Sequence, residues 1–172
     1  MKKPLLLTAL KILLCIPIGY ALMLPFLSTN TNGGVLDHKN SLPIWISIVI
    51  VVVFLVLVYL YMRDLQRTLK SVSPSARKAS PRSVWLMFVI PYNFIEDFFI
   101  IRNVANSLQA EAKINPCLAK YRHFGMSSGI GWCSAQIVSL LPNNIGAIAG
   151  IVALILWIYH WRFIRKINKV LV

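Results

Sequence analysis

The chain has 172 residues, a formal net charge of +13, and a composition that is 58% hydrophobic and only 13% charged. Soluble domains average ~45–50% apolar and ~25% charged residues, so a water-soluble fold of this length is excluded: it could not hide so much apolar surface. The positive charge raises the question of nucleic acid, but the basic residues flank long apolar runs and no zinc-ligand or RNA-binding signature occurs, so no nucleic-acid partner is expected.

Lys2 and Lys3 precede an apolar run, as at the start of a signal peptide. No small-residue cleavage site follows, and Leu14 is too bulky for lipoprotein processing at Cys15, so an uncleaved first helix is expected. Its span is about 12–27. Lys11 lies at the inner edge and snorkels to the headgroups. Pro17 and Gly19 suggest a bend, and Pro25 marks the exit. The loop from Ser28 to Ser41 is polar, with Gly33-Gly34 at its tip.

The second span, about 42–62, holds no charge, and Trp45, Tyr59 and Tyr61 near its ends match an aromatic belt. Arg63 to Lys70 continues it as a basic helix. Residues 71–83 form a Pro/Ser-rich basic linker, expected to be mobile and to touch anionic lipid at the cytoplasmic face.

Residues 84–101 are also apolar, and the basic residues decide how to place them. If this stretch crosses, Lys39, Arg102, Lys113, Lys120, Arg122, Arg162, Arg165, Lys166 and Lys169 all lie outside, and the 18 Lys and Arg residues split nine against nine. If it does not cross, only Lys39 of the 18 is outside and both termini are cytoplasmic. The positive-inside rule favours the second arrangement. The segment 84–110 is therefore expected to be a re-entrant or interfacial helical hairpin on the cytoplasmic side. Trp85 to Ile90 forms a short apolar helix, broken at Pro91. Asn93 followed by Glu96 resembles a capping box. Phe94, Ile95, Phe98, Phe99, Ile101, Val104, Ala105 and Leu108 then repeat at helical spacing.

From Phe124 to Trp161 runs a 38-residue stretch with no Lys, Arg, Asp or Glu, where His160 is the one side chain that could carry a charge near neutral pH, too long for one crossing. Leu141-Pro142-Asn143-Asn144 breaks it into a hairpin of two spans, about 124–141 and 145–162. Gly125 with Gly129, and Gly146 with Gly150, recur at four-residue spacing, where close backbone contact packs helices in lipid. Packing between these two helices is the expectation, with homo-oligomerisation through the same face as the alternative. The fold class expected is an all-α membrane protein: one domain, four transmembrane helices in two hairpins, plus the segment 84–110.

Signatures of chemistry are scarce. No GxSxG, HExxH or phosphate-binding loop occurs, and Cys15, Cys117 and Cys133 form no CxxC pair. No catalytic residue, metal ligand or cofactor is expected. His123 and His160 are expected to be solvated at the cytoplasmic interface. Glu96, Asp97 and Gln136 are the candidate functional residues, because ionisable and strongly polar groups near the membrane interior are expensive. Helix capping with ion pairs to Arg102 or Arg63 would account for the two acids, and a hydrogen bond across helices for Gln136.

The stretch Trp85-x-x-Phe88-x-Ile90-Pro91-x-Asn93, followed by a helix ending Arg102-Asn-Val-Ala-Asn-Ser-Leu108, resembles small bacterial polytopic membrane proteins with no assigned activity. That resemblance implies a bacterial inner membrane. The function expected is a non-enzymatic accessory or scaffold subunit packing against a larger membrane partner or itself. The alternatives are a small transporter or channel with Glu96, Asp97 and Gln136 near its path, and a lipid-modifying enzyme in which His123, His160 and the two acids converge.

Overall fold

The computed structural model describes residues 2–27 and 43–171. The loop expected over 28–41, with Lys39, lies outside the described residues. Helices follow in the order α1 (Lys2–Leu27), α2 (Ile44–Ser71), a 3-10 helix (Pro81–Phe88), α3 (Asn93–Glu111), a short 3-10 turn (Pro116–Leu118), α4 (Met126–Val138) and α5 (Asn144–Val170). Every regular element among the described residues is helical, as an all-α membrane protein requires. Three helices are long and apolar enough to cross a membrane, over Leu6–Met23, Ile48–Ser71 and Asn144–Val170.

Side-chain contacts set the register. α2 and α5 run parallel: Tyr61 meets His160, Trp161 Nε1 donates to Asp64 Oδ2 at 2.7 Å, and Thr68 Oγ1 donates to Asn168 Oδ1 at 2.7 Å. α4 runs antiparallel to α5, with Gly125 beside Phe163, Gly129 beside His160, Gly131 beside Leu156 and Ser139 beside Gly150. The α4 helix has 13 residues, shorter than the stretch 124–141 read from sequence. It starts late because Phe124 and Gly125 both have positive φ, and tight turns replace the helix after Val138.

The 3-10 helix and α3 form a hairpin that enters and leaves at one end of the bundle. Its base is tied to the end of α2: Glu111 Oε2 accepts from Ser73 Oγ at 2.6 Å and Ser73 N at 3.0 Å, and Lys78 N donates to Ser107 Oγ at 2.9 Å. These bonds correct the expectation of a mobile linker over 71–83, since Val72 and Ala76 are also buried there. The hairpin tip, around Val89 and Ile90, is exposed, and Pro91 lies against Gly19 of α1.

The core occupies the same end of the bundle. Tyr61, Met62 and Leu65 of α2 pack with Ile101 and Leu108 of α3 and Ile164 and Ile167 of α5. By contrast, Ile48 to Leu57 of α2 and much of α5 before Tyr159 expose apolar side chains outward, as helices facing lipid do.

Of the four glycines singled out for packing, Gly129 is the one wedged between three helices. A methyl group there would collide with Ile101 of α3 and lie 3.1 Å from His160 Nε2 of α5. Gly125 adds a positive φ of 76° to a tight approach on Phe163. Gly146 abuts the Leu141 carbonyl of the turn, and Gly150 has ordinary room beside Ser139. Gly129→Ala is therefore expected to destabilise the bundle by about 1–3 kcal/mol through overpacking, and Gly150→Ala to stay within about 0.5 kcal/mol, measured by reversible unfolding in mixed micelles.

Candidate functional site

The first turn of α3 is built without a side-chain cap. Tyr92 occupies the cap position in helical geometry, and turn carbonyls take up the early donors: Asn93 N bonds Val89 O at 2.8 Å and Glu96 N bonds Tyr92 O at 3.0 Å. The capping box expected from Asn93 and Glu96 is not formed, because Asn93 is already the first helical residue. Both side chains are free for other contacts.

Glu96 turns toward α1. Lys11 Nζ donates to its Oε2 at 2.5 Å and sits 3.9 Å from the centre of the Phe99 ring. This corrects two expectations. Glu96 pairs with neither Arg102 nor Arg63, and Lys11 does not snorkel but is buried between helices. Lys11, Cys15 and Ile18 form the buried stripe by which α1 meets its main neighbour, α3.

Asp97 points elsewhere, since consecutive helical residues are ~100° apart. It is 2% exposed, and its Oδ1 has no hydrogen-bond partner. Asn93, one turn earlier on the same face, is likewise buried with an unpartnered Oδ1. Both line a cavity of about 310 Å³ between α2, the hairpin, α4 and α5. Gln136, Ser139 and Tyr61 supply further polar groups, while Phe54, Val58, Met87, Trp132 and Trp157 make most of the wall. The indole Nε1 of Trp157 is also buried without a partner. Burial first, and the neighbouring Glu96 charge second, push the Asp97 carboxyl well above the ordinary carboxylate range.

The cavity has an aromatic floor. Tyr61 makes edge contacts with Trp132 and Trp157, at 5.6 and 5.7 Å between ring centres, and its hydroxyl lies 2.9 Å from His160 Nδ1. His160 is 1% exposed, which corrects the expected solvated interfacial histidine. His123 is exposed. No hydrogen bond among the described residues joins either histidine to Glu96 or Asp97, and no group of three His, Cys, Asp or Glu there could hold a metal. The three sequence candidates are thus divided: Asp97 and Gln136 share the cavity, and Glu96 belongs to the α1–α3 contact. Sequence reasoning missed Asn93, Tyr61 and Trp157. Only Asn93 left a signal, its four-residue spacing from Asp97.

Compared with known protein families, curated proteins and solved structures, the chain matches none.

Removing one member of a buried ion pair strands the other. Lys11→Met is expected to cost about 3–5 kcal/mol, and Lys11→Met/Glu96→Gln to recover most of it, in the same unfolding assay. Asp97 gives a pH signature of opposite sign to an ion-paired acid. Its folded-state pKa is raised, so its contribution to stability is complete below the ordinary carboxylate range and is lost as pH rises through the elevated value. Wild-type stability should fall between mildly acidic and alkaline pH, and Asp97→Asn should flatten that slope.

Proposed function

We propose that the chain is a non-enzymatic integral membrane protein with four crossings that holds a small ligand in the Asp97 cavity, in the manner of a small carrier. The observation that carries this reading is that Asp97 and Asn93, each with a buried and unpartnered Oδ1, line one cavity. A lone carboxyl in such surroundings costs stability unless a ligand or proton satisfies it. An accessory or scaffold subunit would work through its outer faces and would leave this group without a role. A channel fits less well, since the aromatic layer of Tyr61, Trp132 and Trp157 closes the cavity toward the core.

The four crossings rest on register. α5 is long enough to span, and the stretch from Gly125 to Ser139 lies antiparallel beside it from Phe163 back to Gly150. It must then traverse the same thickness, with the turns flanking α4 supplying what its 13 helical residues do not. The hairpin of the 3-10 helix and α3 is re-entrant. Pro91 sits beside Gly19, eight residues or about 12 Å beyond Lys11. Phe88 and Ile90 share the cavity with Phe54, nine residues or about 14 Å from Arg63. Both estimates put the tip near the middle of a ~30 Å hydrocarbon core. This arrangement keeps every Lys and Arg except Lys39 on the cytoplasmic side. The inner membrane of a bacterium is the setting that the resemblance of the Trp85–Asn93 stretch implies.

Two measurements test this reading. An impermeant thiol reagent should label Asn144→Cys only from outside and Ser80→Cys only from the cytoplasm; a reporter after Val172 on the outer side would refute the four crossings. Protein extracted in mild detergent should release a bound small molecule on denaturation, and Ala153→Phe, which fills the cavity, should carry none. A stoichiometric membrane partner with no small molecule would establish the accessory role instead.

A further inference from the structure

We infer that the cavity takes a lipophilic organic cation, an ammonium group on a small apolar body, and that the cation enters in exchange for a proton on Asp97. The inference rests on the ligand-cavity reading above and adds the chemical class and the exchange.

Four features of the site converge on this ligand. Two of the three unsatisfied side chains lining the cavity offer acceptors, Asp97 and Asn93 through Oδ1, and the third, Trp157, offers its indole Nε1–H. No basic residue lines the cavity, and the buried Lys11 on the other side of α3 is engaged by Glu96. The rings of Tyr61, Trp132 and Trp157 line the same cavity, and aromatic rings attract cations most strongly where water is excluded. The rim includes Ile90 at 67% exposure and Leu154 at 50%, on the surface that faces lipid in the proposed topology. A ligand reaching Asp97 by that route must be soluble in the bilayer, and a space of about 310 Å³ suits a small one.

The exchange follows from charge. In the empty site the carboxyl is neutral and carries its proton. When a cation arrives, the O–H bond of Asp97 breaks, the proton leaves to solvent, and the carboxylate stays behind as counter-ion. One charge enters and one leaves. The titratable groups facing Asp97 are Glu96 on its own helix, Tyr61 on α2 and Cys133 on α4, with His160 of α5 behind Tyr61. The hairpin's 3-10 helix adds only Met87 and Phe88 to the wall. Glu96 is already neutralised by Lys11 of α1, so Asp97 is the group left to release the proton.

The test compares benzyltrimethylammonium with neopentylbenzene, its neutral isostere, on the full chain in lipid nanodiscs, with empty nanodiscs as the blank. Calorimetry in buffers of different ionisation enthalpy counts protons released. The expected result is saturable cation binding that releases about one proton per molecule and weakens about tenfold for each unit fall in pH while Asp97 is protonated. Asp97→Asn should abolish the proton release and weaken binding at least about tenfold. The wild-type proton count needs no variant, so a misfolded Asp97→Asn protein would not rescue the idea. Equal binding of the neutral isostere, or cation binding without proton release, overturns the inference while leaving a ligand cavity in place. Absence of saturable cation binding also overturns it. Failure of the cavity reading itself would show separately, as Ala153→Phe protein still carrying whatever the wild type carries.

Discussion

A buried ion pair between Lys11 and Glu96 organises this molecule. Either charge alone in an apolar setting would cost several kcal/mol, so the pair can exist only if α1 and α3 meet at that level. Most of the surface of α1 is apolar and exposed, and its buried stripe is Lys11, Cys15 and Ile18. Once Lys11 is placed over Phe99 and against Glu96, the helix runs antiparallel to the start of α3 and brings Gly19 to Pro91. The same contact fixes the rotation of α3. With Glu96 committed to α1, Asp97 has to face α2, α4 and α5, and Asn93 follows it one turn back.

The bundle is tight at one end and open toward the other. At the tight end α2 and α5 are joined by polar contacts as well as by packing. Asp64 receives the Trp161 indole, its carbonyl receives Asn168 Nδ2 at 3.0 Å, and Thr68 closes the set onto Asn168. Such contacts specify register more than they add stability. Toward the other end α2 and α5 present mostly aliphatic faces to lipid, where there is no hydrophobic drive to bring helices together. The cavity lies where these regimes meet: its floor is the aromatic layer above the core, and its walls are the last contacts before the helices become lipid-facing.

How much of this was legible in the sequence depended on whether the signal was local. Long uncharged runs are averages over many residues, and they located the apolar helices α1, α2 and α5; Pro91 was legible as a break from its own backbone chemistry. The glycine spacing identified an α4–α5 contact because adjacent helices in a hairpin have few alternative partners. What failed were statements about single side chains. Lys11 looked like a headgroup ligand because nothing near it in sequence is acidic; its partner is 85 positions away. His160, flanked by Tyr159 and Trp161, reads as interfacial, yet the 3.6-residue period turns it inward to Tyr61 while Tyr159 faces out. The linker over 71–83 has a disordered composition but is pinned by Glu111 and Ser107, a tertiary effect that composition does not encode. Asn93 and Glu96 have the spacing of a cap and are not one, because the Pro91 turn begins the helix a residue early.

The adjacency of Glu96 and Asp97 then has a consequence that neither residue has alone. With Asp97 protonated, the buried charges in this region are Lys11 and Glu96, and they cancel. Ionising Asp97 leaves a net negative charge in a low-dielectric space, and the Glu96 carboxylate next to it makes that state worse. Lys11 cannot relieve it by swinging across, since it is held on the far side of α3 by Glu96 and the Phe99 ring. Neutrality with an ionised Asp97 therefore has to come from outside the chain. In the proposed exchange the fixed pair gives the free acid its selectivity: it removes the internal cation that would otherwise compete for the site.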